Sequence, residues 1–289
     1  MNLDEINSRI DEAFGTYPKQ LRVAARYVRE NPDKIALHSL RQVSDMASVH
    51  PSNLMRLVRE LGFDRYSEFR DPFRDWLGSG QTTMRGRVEG LRTKGKLGQM
   101  SETVAEVFAR DISDVEATAS QIRTEDLVAA ADMIIAARRV FIVGFRSLHS
   151  AAFFFHYSCR MFSANAVLVD GRGGAMGDEV RDAGPEDVVV VLSHKSYSRD
   201  ALNIARYAKN AGSRIISIID SPLAPTAAIS DVRLVLSASN ASVLSSVVST
   251  LSVVQALITV IVSKIGDDVF ETMKRNDAFY KALDTFVED

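Results

Sequence analysis

Two short stretches of this chain combine hydroxyls with a cation in a way that suits an anion. The first is Gly144-Phe145-Arg146-Ser147-Leu148-His149-Ser150-Ala151, and the second is Ser193-His194-Lys195-Ser196-Tyr197-Ser198-Arg199-Asp200. Each follows an apolar run that reads as a β-strand and precedes a helical pattern. Free N–H groups and the positive end of a helix dipole meet at such junctions and favour a phosphate or carboxylate. Serines add short donors, and Arg146 or Lys195 adds full charge. One Ser-rich loop is usually only an N-cap. Two at strand ends of a single sheet, each with a cation, predict a ligand site drawn from Arg146, Ser147, Ser193, Lys195, Ser196 and Ser198.

A different chemistry is written between Ser39 and Phe69. Ser39 suits the N-cap of a short helix with Leu40, Val43 and Ala47 inward. Ser48-Val49-His50 makes a turn, and Pro51 opens a second helix where a missing N–H costs nothing. Leu54, Leu57, Val58 and Leu61 recur at helical spacing as its buried stripe, and Gly62 closes it. The opposite face carries Ser52, Asn53, Arg56 and Arg59. Two short helices across a tight turn, the second bearing Asn and Arg near its start, form a helix-turn-helix that sets side chains into a major groove. Asn pairs bidentately with adenine and Arg with guanine. The predicted DNA contacts are Ser52, Asn53 and Arg56, with His50, Arg59 and Arg65 nearer the backbone. Arg56 can instead serve a phosphate or a neighbouring acid.

The elements around these sites divide the chain. Ile6, Ile10 and Phe14 mark one helix, and Leu21, Ala24, Ala25 and Val28 mark another, entered at Pro18 and ended at Asn31-Pro32. Tyr66, Phe69, Phe73, Trp76 and Leu77 suggest a helix packing back, which gives an all-α unit over 1–77. Residues 78–100 are rich in Gly, Thr, Arg and Lys, lack an apolar period and read as a linker, in part helical. A helix carrying Val104, Val107, Phe108, Ile112 and Val115 follows, then another over Leu127 to Ala137. Apolar runs then alternate with helical stretches: Val140–Val143, Ala166–Val169, Val188–Leu192, Ile215–Ile219 and Val232–Leu236. Strands apolar on both faces predict a five-stranded parallel sheet flanked by helices over 101–289, with ligands at the strand ends.

Composition narrows the class. The chain has 289 residues, 46% hydrophobic and 25% charged, as in globular domains, and is long enough for two cores. A lone cysteine, Cys159, excludes an intrachain disulfide framework and a Cys-based zinc site. The opening residues have neither a basic nor an apolar signal region, so a reducing cytoplasm is expected. Residues 242–263 lack charge, but serines and Gln255 make them a poor lone span. A helix buried against a sheet and a partner subunit explains them better than a membrane. Residues 1–100 hold 17 Lys/Arg against 13 Asp/Glu, whereas the remainder holds 18 against 24. The basic excess therefore lies on the helical third, where phosphate contacts are expected.

With Arg56, Leu61-Gly62-Phe63, Tyr66 and Phe69 in place, the N-terminal unit resembles the helix-turn-helix of RpiR/MurR transcriptional regulators. The C-terminal unit resembles a sugar isomerase (SIS) domain. Its first loop is similar to Gly-x-Gly-x-Ser at Gly144 and, one residue early, at Ser147, and its second to Ser-x-Ser-Gly-x-Thr at Ser193 and Ser198. The resemblance spans nearly the whole chain. It adds Gly144 to the ligand set and implies a sensor of a phosphorylated sugar or related anionic metabolite, acting as a homodimer or homotetramer on a pseudo-palindromic double-stranded operator. Arg146 departs from the second glycine of the first loop, and Lys195 and Ser196 from serine and glycine in the second. His50 and Asn53 stand where serine and threonine are usual. The added charge suits a more acidic ligand, such as a sugar acid or its phosphate, unless Asp178, Glu179 or Asp200 neutralises it.

Two other readings compete. A sugar-phosphate isomerase needs a base beside C1 and C2, and His149, His156 and His194 are available. The first two fall on an aromatic-rich helix, His194 reads as loop-exposed, and no Glu sits beside a histidine in a loop. A protein-binding role for the helical unit would give salt-insensitive association. The favoured reading is a regulator without catalytic residues, metal or cofactor.

Overall fold

The apolar runs pair into one parallel sheet of five strands in the order β2-β1-β3-β4-β5. They are β1 (Val140–Val143), β2 (Ala166–Val169), β3 (Val188–Ser193), β4 (Arg214–Ile219) and β5 (Val232–Val235). The computed structural model describes residues 1, 3–78, 84–96, 98–163, 165–238, 244–266 and 268–285. Around the strands run α1 (Leu3–Ala13), α2 (Lys19–Glu30), α3 (Pro32–Leu37), α4 (Leu40–Met46), α5 (Pro51–Glu60), α6 (Tyr66–Gly78) and α7 (Met84–Lys96). Next come α8 (Met100–Gln121), α9 (Thr124–Ile135), α10 (His149–Phe162), α11 (Met176–Glu179), α12 (Arg199–Asn210), α13 (Val248–Ile265) and α14 (Asp268–Ala282).

Both faces of the sheet are covered, and the period-2 alternation of each strand explains how. Val140, Ile142, Val188, Val190, Ile216 and Ile218 pack with α9, α10 and α13. Phe141, Val143, Val189, Val191 and Ile215 point the other way, against Ala201, Ile204, Ala205 and Ala208 of α12. This is the arrangement expected of strands with no polar side. α13 is long and apolar enough to cross a membrane, yet Val253, Val254, Leu257 and Ile261 belong to the core beneath it.

The chain divides into two compact units, Met1–Val104 and Ala105–Asp289. The division falls beyond the expected linker, and α7 occupies most of that segment. Its Arg, Lys, Glu and Leu are good helix formers and outweigh Gly86, Gly90 and Gly95. Residues 79–83 and 97 of the linker lie outside the described residues. Within the first unit, α2 and α4 pack on α5, and α3 packs on α6. α3 was not foreseen: Asn31-Pro32 ends one helix and starts the next, with Pro32 in its first turn.

α8 departs from the expected pattern. Its buried residues are Asp114 and Thr118, whereas Phe108 is 65% and Ile112 59% exposed. Polar contacts fasten it instead. Ser237 donates from Oγ to Asp114 at 3.0 Å, and from its backbone N–H to Thr118 Oγ1 at 2.9 Å. Of the three successive phenylalanines on α10, Phe155 is core, Phe154 is half-buried and Phe153 is exposed.

Gly144 follows β1 directly and is buried. A Cβ there would lie 2.8 Å from Ala152 Cβ and 2.9 Å from the Leu148 carbonyl oxygen. Gly144→Ala is therefore expected to destabilise the fold by about 1–3 kcal/mol through overpacking. Urea unfolding checks this, and an unshifted midpoint contradicts the close packing.

Candidate DNA-reading helix and effector crevice

α5 is closed at both ends. At its start His50 is the N-cap: Nδ1 accepts the Ser52 backbone N–H at 3.3 Å and lies 2.8 Å from Ser52 Oγ. At its end Gly62 has φ +91°, its N–H reaches the Arg59 carbonyl, and the Phe63 N–H reaches that of Val58. This 6→1 and 5→2 pair is the Schellman closure. Arg9 donates to the Leu61 carbonyl at 3.2 Å and covers a further orphan acceptor.

Leu54, Leu57, Val58 and Leu61 are buried, as their spacing predicts. His50, Ser52, Arg56 and Arg59 are exposed, and Asn53 is half-buried. Arg56 Nε lies 3.8 Å from Glu60 Oε1, with both side chains half in solvent. Such a pair is worth little and leaves the guanidinium able to exchange partners. Arg65 lies just before α6, where its backbone N–H donates to Glu68.

The strand order reverses between β1 and β3, since the chain passes from β1 to β2 on one side and places β3 on the other. Ligands of open α/β sheets sit outside the strand ends at such a switch point. Val143 pairs with Val191 in parallel register, so the two expected loops leave neighbouring strands side by side. Arg146 has φ +58° and Ser196 φ +72°. Both keep the left-handed backbone that glycine adopts without strain, at the positions where the resemblance expects glycine. Arg146, Ser147, Lys195 and Ser196 are exposed, whereas Ser193 is buried. Ser198 caps α12, its Oγ accepting the Ala201 N–H at 3.4 Å.

One expectation about the second loop is corrected. His194 is not exposed: it is 8% accessible, and its Nε2 lies 3.0 Å from Thr250 Oγ1 on α13. Burial is possible because Thr250 supplies a partner inside. The acids that could have neutralised the loops have other partners or stand exposed. Asp178 pairs with Arg181, Glu179 accepts the Gly171 N–H, and Asp200 stands exposed on α12. The acid that meets this loop is Asp220, just past β4. It accepts the Lys195 backbone N–H at 2.8 Å and the Tyr197 hydroxyl at 3.1 Å.

A cavity of about 440 Å³ opens beside the first loop, lined by Phe145, Arg146, His149, Asp170 and Arg172. It gathers Arg146 from the expected set, and its other cation comes from the loop after β2. Sequence reasoning missed Asp170 and Arg172. The signal was Asp170-Gly171-Arg172-Gly173-Gly174, a charged pair among glycines directly past a strand. Asp170 accepts Arg172 Nε at 2.7 Å and the Arg172 backbone N–H at 3.0 Å. Among the described residues, no group of three or more His, Cys, Asp or Glu could hold a metal ion.

Burial lowers the His194 pKa, with Asp220 opposing it, and burial followed by Arg160 lowers that of His156. Burial pushes the Cys159 thiol up to about 12, so it stays protonated and unreactive. A histidine held neutral in the fold but free to protonate when unfolded stabilises above the unfolded pKa of about 6.5, and that stability is lost as pH falls below it. His194→Gln should therefore flatten the fall in unfolding free energy between pH 7.5 and 5.5. Denaturant titrations at the two pH values measure it; an unchanged slope removes His194 as a source.

A SIS-domain family model matches residues 133–260. HTH-type regulators match along the chain. One from Clostridium perfringens is 21% identical over 75% of this chain and 76% of its own length. HexR of Pseudomonas aeruginosa is 23% identical over 77% and 75%. Among solved structures, the sugar isomerase domain of an RpiR transcription factor from Sphaerobacter thermophilus superposes with a TM-score of 0.58 at 23% identity, covering 60% of this chain and 97% of that one. The Vibrio vulnificus NanR protein complexed with ManNAc-6P superposes at 0.58 and 16% identity, covering 96% and 98%. A SIS-domain match on the second unit, with HTH-type transcriptional regulators matched along both units, is what this chain shares with these proteins.

Proposed function

We propose that the protein is a cytoplasmic transcriptional regulator whose SIS domain senses a phosphorylated sugar, a sugar acid or a related anionic metabolite. The observation that carries the reading is α5, a helix closed at both ends with a buried leucine stripe, which turns His50, Ser52, Arg56 and Arg59 outward. Asn53, Arg56 and Ser52 meet base edges, and His50, Arg59 and Arg65 meet the phosphate backbone. His50 and Ser52 also hold each other, so their first duty is to fix the angle at which α5 starts.

The effector binds at the strand ends, on Arg146 and Ser147 of the first loop and Lys195 and Ser196 of the second. Gly144 lets the first loop lie close to α10. Ser193 and Ser198 shape the second loop from beneath and beyond. The relative NanR is known with a sugar phosphate bound, which supports an effector of this class. The chain is a regulator rather than an enzyme. His194 is buried against Thr250, and the carboxylate of Asp170 is engaged by Arg172 at two points.

Two copies of α5 would read a pseudo-palindromic operator on successive half-sites. Exposed Phe108, Ile112, Phe153 and Tyr157 are the kind of surface that a homodimer or homotetramer covers.

Arg56→Ala should weaken operator binding by roughly 1–3 kcal/mol without altering thermal stability; equal gel-shift affinity takes Arg56 out of the interface. Lys195→Ala and Arg146→Ala should abolish the effector response and leave effector-free DNA binding intact. A full response in both variants overturns the crevice assignment. Light scattering at micromolar concentration should show no monomer, and a monomeric mass contradicts the assembly.

A further inference from the structure

We infer that Arg172, held in place by Asp170, reads a carboxylate on the effector, so that the effector is a sugar acid or its phosphate rather than a simple sugar phosphate. This inference rests on the effector reading above and narrows its ligand class.

An arginine that is 82% exposed ordinarily samples many rotamers, and ordering it costs up to about 2 kcal/mol. Arg172 has a neighbouring carboxylate that favours one arrangement. Asp170, only 13% exposed, takes its Nε at 2.7 Å, and its other carboxylate oxygen takes the Arg172 backbone N–H at 3.0 Å. With Nε engaged, the two Nη groups remain as an outward fork that matches a carboxylate through paired hydrogen bonds. Lysine has no such fork.

The charge of the cavity favours a monoanion. Arg146 and Arg172 line it with Asp170 as the only acid, leaving one net positive charge before His149 is counted. A carboxylate balances that charge. A phosphate dianion would overshoot it and face Asp170. The loop backbone suits an anion as well. Gly171, Gly173 and Gly174 have φ of +69°, +66° and +80°, and a Cβ at Gly173 or Gly174 would meet nothing within 4 Å. Conformation rather than space therefore calls for glycine there, and left-handed residues alternating with right-handed ones turn successive N–H groups to one side. Two of those N–H groups already hold protein carboxylates: Glu179 on Gly171 at 3.2 Å and Asp170 on Arg172. A volume of about 440 Å³ lies in the range of small-molecule sites. β2 and β3 flank β1 and lie about 10 Å apart by strand spacing, so a six-carbon acid can reach from Arg172 toward the second loop.

The test is isothermal titration of the full chain with six-carbon aldonates and their 6-phosphates, against the matching aldoses and aldose 6-phosphates, in gluco, galacto and manno configurations. In at least one configuration the carboxylate-bearing member should bind on the order of tenfold tighter than its partner. Arg172→Gln and Arg172→Lys should both erase that preference, and Asp170→Asn should reduce it. Because Arg172 is exposed, its variants should melt with the native protein. If aldose 6-phosphates bind as tightly as aldonate 6-phosphates, or if Arg172→Gln keeps the preference, the inference falls and the effector reading survives. If no compound of the panel binds, both fall.

Discussion

The contact between Gly144 and the start of α10 governs the crevice at the end of β1. Without a side chain at this position, the Leu148 carbonyl and Ala152 come within van der Waals reach of the end of β1. That approach decides where the turn 146–148 lies, where α10 begins, and hence where Arg146 and His149 stand. The parallel register with β3 then places the second loop alongside. A bulkier residue would push α10 away, and the cations would no longer share one mouth. The glycine thus acts through packing, while its neighbours supply charge.

Two of the four non-glycine residues with positive φ among the described residues lie in the loops after β1 and β3. Non-glycine residues in the left-handed region cost on the order of 1–2 kcal/mol each, and Arg146 and Ser196 both accept it. Their surroundings hold them there. The Leu148 N–H returns to the Phe145 carbonyl across Arg146, and Asp220 pins the residues on either side of Ser196. The backbone keeps the shape that glycine would give, while the side chains add a cation and a hydroxyl. His194, beneath this loop, joins it to α13 through Thr250, so a movement of the loop is felt inside the core.

α8 shows the opposite economy. It is held by Asp114, Thr118 and Ser237, while Val104, Phe108 and Ile112 face outward. A helix used only for internal packing would bury Phe108 and Ile112 and expose Asp114. The reversal is consistent with a surface that a second copy covers.

The sequence alone determined what depends on local periodicity and backbone chemistry. Continuous apolar runs marked all five strands, and the leucine spacing, Pro51 and Gly62 marked α5 to the residue, because such runs, helix periods and caps act over a few neighbours. Arg146 was legible as a ligand candidate for the same reason, lying just past a strand. What depends on chain crossing was decided by tertiary structure. Strand order, set by long-range pairing, brought the β2 loop beside Arg146 and so added Asp170 and Arg172. A distant threonine drew His194 inward, and Asp220, 25 residues beyond Lys195, took that loop's backbone. The outward face of α8 was equally hidden. Period reveals that a helix has an apolar stripe, but the direction the stripe faces follows from which side finds partners, here a polar side fastened to Ser237.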